Sequence, residues 1–161
     1  MTSINYKMNR YLIDKDSEPK IYHAFSYTSF TWKSHTQNSY ELLTVQRESL
    51  TAQIGGKTYS VCKGQSLLIP PFVFHSYQER ENCAYSIATF TPAYAPDFHD
   101  EMQKFPPSEY LFQFSKEEWE LLAKRLFPLP IENGSLEQPT PDEYTIKACI
   151  YLIAARFLEE E

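Results

Sequence analysis

Two histidines, a glutamate and a glutamine stand at spacings that let their side chains meet. The first group runs His35, Gln37, Glu41; the second is Gly64, Pro70 and His75. Residues two apart on a strand share a face, so His35 and Gln37 point the same way. Glu41 follows after a short turn, and His75 comes from a separate strand, since Pro70-Pro71 starts an element rather than sitting inside one. Imidazole, carboxylate and amide oxygen are all ligands for Fe, Mn, Ni or Zn. The same groups can donate to and accept from a small hydroxylated molecule. Gln37 is a weak transition-metal ligand, so no resident metal is expected; if one binds, its ligands are His35, Gln37, Glu41 and His75. A buried Glu41 is costly unless paired, and its expected partners are the two histidines or an effector hydroxyl. No nucleophile–base pair, G-x-S-x-G turn or phosphate loop is present, so no catalytic residue is assigned.

The elements that must position these groups are mostly strands. From Ile21 to Thr91, Tyr, Phe, Thr, Val and Ile recur in short runs separated by turn residues, which predicts strands near 21–27, 29–35, 40–47, 50–54, 57–62, 66–70, 73–78 and 83–91. Gly55-Gly56 is a two-residue hairpin signal. Strand parity turns Leu43 and Val45 inward with Glu41, and Tyr77 inward with His75. Trp32 reads either as core or as a stacking face for a ring. His23 and His99 have no evident partner and read as surface or turn residues.

After Thr91 the character changes. A Pro-broken crossing leads to a short helix near 97–103, and Tyr110-Leu111-Phe112 is an extended piece. Ser115 and Glu118 have capping-box spacing, which predicts a helix over 116–126 ending before Pro128. Thr140-Pro141-Asp142-Glu143 repeats a start signal for a last helix over 142–158. That helix is apolar nearly all round. One stripe is Ile146, Cys149, Ile150, Ile153 and Phe157; another is Ala148, Tyr151, Leu152 and Ala155. A helix apolar on more than one face is covered on more than one face. The expectation is that the first stripe meets a partner subunit.

Length and composition bound the rest. At 161 residues the chain suits one domain with a sizeable core. Hydrophobic residues make up 42%, and 12 Tyr and 11 Phe argue against disorder. Net charge is −6 with no basic stripe, which makes these residues a poor nucleic-acid binder. Cys62, Cys83 and Cys149 form no CxxC pair and read as small core residues of a reduced cytoplasmic protein. No segment reaches the roughly 20 apolar residues of a membrane span, and no signal peptide is legible.

His35-x-Gln37-x3-Glu41 and Gly64-x5-Pro70-x4-His75 resemble the two motifs of the cupin superfamily, whose members fold as small β-barrels. This chain departs from the pattern at three places. Gln37 stands where the family has a second histidine, Glu48 replaces the glycine that closes the first motif, and Phe72 replaces the glycine of the second. The wording around them is more specific. Tyr40-Glu41-Leu42-Leu43, Gly64-Gln65-Ser66-Leu67-Leu68-Ile69-Pro70-Pro71, His75-Ser76-Tyr77 and Phe90-Thr91-Pro92-x-Tyr94-x-Pro96-Asp97-Phe98 resemble the sensor domain of AraC-type transcriptional regulators, from about Lys20 to the C-terminus.

The resemblance implies a mainly β fold: a cupin-like (jelly-roll or double-stranded β-helix) barrel followed by C-terminal α-helices. It implies an arm over 1–20, an effector-binding barrel over 21–114 and a helical dimerisation segment over 115–161. The effector, a sugar or related metabolite, would meet Trp32, His35, Gln37, Glu41, Leu43, Val45, His75 and Tyr77. The chain would form a homodimer and reach DNA only through a basic helix-turn-helix domain that these residues do not include, as an excised sensor would. The rival expectation is a stand-alone metal-dependent cupin enzyme, a dioxygenase or sugar isomerase; a ligand-free scaffold module is a third.

Overall fold

The structure, a computed structural model, describes residues 19–28, 32–79, 82–127 and 141–159, apart from the side chains of residues 27, 28, 32 and 79. Of the arm expected over 1–20, only Pro19 and Lys20 fall inside that description. Nine strands lie among the described residues: β1 (Tyr22–Thr28), β2 (Trp32–His35), β3 (Tyr40–Arg47), β4 (Ser49–Ile54), β5 (Lys57–Cys62), β6 (Gln65–Ile69), β7 (His75–Glu79), β8 (Ala84–Phe90) and β9 (Leu111–Gln113). A 3-10 turn (Pro92–Tyr94) precedes α1 (Pro96–Lys104); α2 (Lys116–Leu126) and α3 (Glu143–Glu159) follow β9.

The strands form two antiparallel sheets. One has the order β1-β8-β3-β6-β9, the other β2-β7-β4-β5. Consecutive strands thus alternate between sheets at several points, as the expected double-stranded β-helix requires. Strand β3 shows why the arrangement has two cores. Its run Tyr40–Val45 is buried without a break, because alternate residues face different neighbours. Leu43 and Val45 point between the sheets, with Leu50, Ile54, Val61, Leu67 and Tyr77. Tyr40 and Leu42 point outward, into a second cluster where the helices cover the five-stranded sheet with Phe98, Leu122, Ile150 and Phe157.

The helix starts follow local chemistry. Ser115 Oγ accepts from the Glu118 N–H at 3.2 Å, while Glu118 Oε1 accepts from the Ser115 N–H at 2.8 Å, the expected capping box. For α3, Asp142 performs the capping, accepting from the Thr145 N–H at 3.0 Å; Thr140 lies outside the described residues. Arg156 of α3 then reaches Glu118 of α2 at 2.9 Å, and Tyr151 donates to Asp97 of α1 at 2.6 Å.

One expectation is corrected here. The stripe Ile146, Cys149, Ile150, Ile153 and Phe157, assigned from sequence to a partner subunit, is buried inside this chain. It packs on the outer face of the five-stranded sheet, where Phe157 meets Phe112 edge-on. Beneath the helices the outer face of β3, β6 and β8 presents Tyr40, Leu42, Leu68, Ala88 and Phe90, and an intramolecular cover forms without the loss of freedom that association costs. The opposite face of α3, with Tyr144, Ala148, Tyr151 and Ala155, remains exposed.

The two motif glycines that this chain lacks leave a mark on the backbone. Glu48 and Phe72, at those positions, both take the left-handed conformation, with φ of 62° and 65°. A side-chain-bearing residue there costs about 1–2 kcal/mol. Glu48→Gly is therefore expected to raise the unfolding free energy by about 0.5–1 kcal/mol, the relief being partly offset by glycine's greater unfolded-state freedom. A urea midpoint that falls instead would show that the Glu48 side chain more than repays the strain.

Candidate functional site

The site lies between the sheets and draws on both. His35 of β2 and His75 of β7 are directly paired across the strands, so they share the inner face, and their ring centroids lie 4.2 Å apart. Glu41 enters from β3 in the opposite sheet. Gln37 comes from the connection between β2 and β3. That connection is pinned to the β6–β7 loop, because the Phe72 N–H donates to the Gln37 carbonyl at 2.8 Å. Tyr77, two residues after His75, follows it inward.

Glu41 is the hub. Its carboxylate is almost fully buried, Tyr77 donates its hydroxyl to Oε1, and Gln37 donates its amide N–H to Oε2 at 2.7 Å. Gln37 thus acts as a donor to Glu41, a role that its type and position alone did not reveal. Burial pushes the Glu41 carboxyl up, but His75, Tyr77 and His35 together bring it below the ordinary carboxylate value. Burial pushes His75 down, and Glu41 more than reverses this, leaving the imidazole above its ordinary value. Tyr77 is held well above the usual tyrosine range, first by burial and then by the Glu41 charge.

Each imidazole is oriented by the backbone two residues earlier. His35 Nδ1 lies 2.8 Å from the Lys33 carbonyl, and His75 Nδ1 lies 2.9 Å from the Val73 carbonyl. A carbonyl only accepts, so each Nδ1 carries the proton and donates it, which directs Nε2 to the other side of the ring. His75 Nε2 sits 3.4 Å from Glu41 Oε2, close enough to pair when charged, but without hydrogen-bond geometry; it is a buried polar atom with no hydrogen-bond partner. Ligand atoms of His35, Glu41 and His75 all lie within 4.8 Å of one another. Such a set fits a divalent transition metal, with Nδ1–H bonds to carbonyls as the supporting contacts.

The remaining sequence candidates separate into two groups. Leu43 and Val45 lie on the inner face with Glu41, deep in the inter-sheet core. Trp32 pairs in register with Tyr77, and its side chain is among those not described. His99, for which the sequence offers no evident partner, lies on α1 with Nδ1 2.8 Å from the Tyr40 hydroxyl. That contact joins residues 59 apart, and no local pattern signals it.

A scan against protein-family models matches residues 20–132 to the AraC-like ligand binding domain. No match is found among curated proteins. Among solved structures, ToxT from Vibrio cholerae superposes with a TM-score of 0.50 at 9% identity, covering 82% of this chain and 54% of ToxT. A second ToxT structure gives 0.52 at 8% identity, covering 83% and 55%. An RmlC-like cupin from Shewanella frigidimarina gives 0.40 at 19% identity, covering 47% and 69%. The chain thus spans about half of ToxT, and at these identities the likeness is one of fold. The double-stranded sheet architecture, the helices packed on its outer face and a family match over most of the length agree: this chain belongs to the AraC-like ligand-binding domain family.

Proposed function

We propose that this chain is the non-enzymatic effector-sensing segment of an AraC-type transcriptional regulator. The observation that carries the reading, beside the family match, is the buried polar cluster on Glu41. It offers one buried imidazole nitrogen without a hydrogen-bond partner and a carboxylate held by Tyr77 and Gln37. Leaving such an atom unpaired costs about 1–3 kcal/mol. A small effector hydroxyl, which can donate or accept, would recover that cost at His75 Nε2 in either protonation state, and a sugar or related metabolite supplies such hydroxyls. His35, Gln37, Glu41, His75 and Tyr77 are the contacts proposed, with Trp32, Leu43 and Val45 as the surrounding wall. DNA contact is assigned to a helix-turn-helix domain outside these residues, and the setting is the cytoplasm. Homodimerisation is assigned to the exposed face of α3 at Tyr144, Ala148, Tyr151 and Ala155, since the other stripe is occupied within the chain.

A second reading is a metal-dependent cupin enzyme, a dioxygenase or sugar isomerase. The observation favouring it is the His35, Glu41 and His75 convergence, with both Nδ1 atoms anchored on carbonyls. A bound metal would act there as a Lewis acid or redox centre, with Gln37 beside it.

One experiment separates the two. Purified protein is analysed for metals and by native mass spectrometry, then screened with neutral sugars by thermal shift. The sensor reading expects a metal-free dimer, a melting point unmoved by EDTA, and a stabilising sugar whose effect His75→Ala removes. One tightly held Fe, Mn, Ni or Zn per chain, lost in His75→Ala, would overturn it in favour of the enzyme.

A further inference from the structure

The four-stranded sheet has a second face, turned away from the barrel interior. Cross-strand register places Ser76, Gln53 and Thr58 in one outward rung, and Gln78, Thr51 and Ser60 in the next. Neither rung carries a charge, in a chain where 22% of residues are charged. At the hairpin end of this face lies a shallow groove of about 230 Å³, lined by Ser34, Gln53, Thr58, Ser76, Phe74 and the Gly55-Gly56 turn.

Three structural features build the groove. The register of β2 against β7 shifts between Trp32 and His35, and such an irregularity re-aims the side chain within it, here Ser34. Gly55 and Gly56 take φ of 54° and 85°, so the turn is tight and bare. The Gly55 N–H donates to the Phe74 carbonyl at 3.0 Å, which fixes Phe74 beside the turn. The Phe74 side chain is 63% exposed. Among the described residues, the side chains of Ser34, Gln53, Thr58 and Ser76 make no hydrogen bond within the chain.

We infer that this groove is a binding site for one ring of a neutral saccharide, separate from the barrel interior. Three hydroxyls and an amide both donate and accept, which matches a ligand whose own groups do both. An ionic ligand would meet no compensating charge in either rung, and a wholly apolar one would strip water from hydroxyls without replacing their hydrogen bonds. A pyranose has polar edges and a C–H face, so its hydroxyls meet the rung while its apolar face lies on the Phe74 ring. The volume is below the roughly 300–1,000 Å³ of drug-sized pockets, which suits a single ring at the end of a chain. The site does not depend on the sensor reading, because it lies on the opposite face of the sheet from His75.

The test is a titration of the full 161-residue protein with maltotriose, cellotriose and xylotriose, followed by amide chemical shifts. The expected result is saturable, millimolar binding of at least one trisaccharide, with shifts at Gln53, Thr58 and Ser60. Phe74→Ala should weaken it about tenfold, and Thr58→Lys should abolish it; both positions are exposed, so the fold tolerates the changes. Absence of binding by all three sugars overturns the proposal. Shifts centred on Glu41 and Leu43, with Phe74→Ala unchanged, also overturn it and place the sugar in the barrel. Concentration-dependent shifts at the same rung without sugar overturn it in favour of a second copy of this chain.

Discussion

Glu41→Ala is expected to lower the unfolding free energy by about 3–5 kcal/mol near neutral pH, read from urea titrations of the two proteins. The substitution leaves the Tyr77 hydroxyl and the Gln37 amide without their acceptor and His75 without its counter-charge, all inside the inter-sheet core. The cost is that of stranded partners, and it exceeds what the carboxylate itself contributes. Its pH dependence follows from the two shifts. Glu41 is lowered on folding, so its contribution is complete above its ordinary value of 4.5 and fades as pH falls through the folded value. His75 is raised, so its contribution is complete below 6.5 and is lost as pH rises through its higher folded value. The gap between wild type and variant should therefore be widest between those limits and narrow on both sides. A gap under 1 kcal/mol, flat with pH, would mean that water satisfies the cluster and that Glu41 is not its hub.

Phe157→Ala is expected to cost about 3–5 kcal/mol, the range for emptying a large buried aromatic site. Phe157 is buried against Phe112 beneath α3, so the loss should be the same at low and high protein concentration. Burial against a partner subunit would instead make the loss grow with concentration, by mass action. Tyr151→Ala provides the contrast. Tyr151 is 43% exposed, and its loss should move the monomer–dimer equilibrium, read by analytical ultracentrifugation, more than the stability of the monomer. If Phe157→Ala proves concentration-dependent and Tyr151→Ala leaves association untouched, the two faces of α3 have been assigned the wrong way round.

The strands are legible in the sequence where local alternation is strong. Leu42 and Leu43 sit next to each other and face different cores, and a period of two is enough to predict that they part. Strand ends shifted by one or two residues, as at β7, expected over 73–78 and found over His75–Glu79, where the Pro-rich entry blurs the pattern. The capping box at Ser115 was legible because all of its bonds lie within four residues. At α3 the start signal Thr140-Pro141-Asp142-Glu143 carries two capping side chains; Asp142 accepts from the Thr145 N–H, and Thr140 lies outside the described residues.

From its sequence alone, this protein determined its class of fold, the family it resembles and the meeting of His35, Glu41 and His75. Spacing within each motif fixes which side chains share a strand face, and the resemblance of the two motifs to the cupin pattern implies the barrel and the joining of His75 to His35 and Glu41. Tertiary structure decided what spacing does not encode. It placed Glu41 in the sheet opposite the histidines and turned Gln37 into the carboxylate's donor. It buried the Ile146–Phe157 stripe of α3 within the chain. It also set Ser76, Gln53 and Thr58 side by side on an uncharged outer face. A helix apolar all round has no preferred direction of its own, and partners in a sheet can be tens of residues apart; in both cases the choice rests on which long-range surfaces exclude water together.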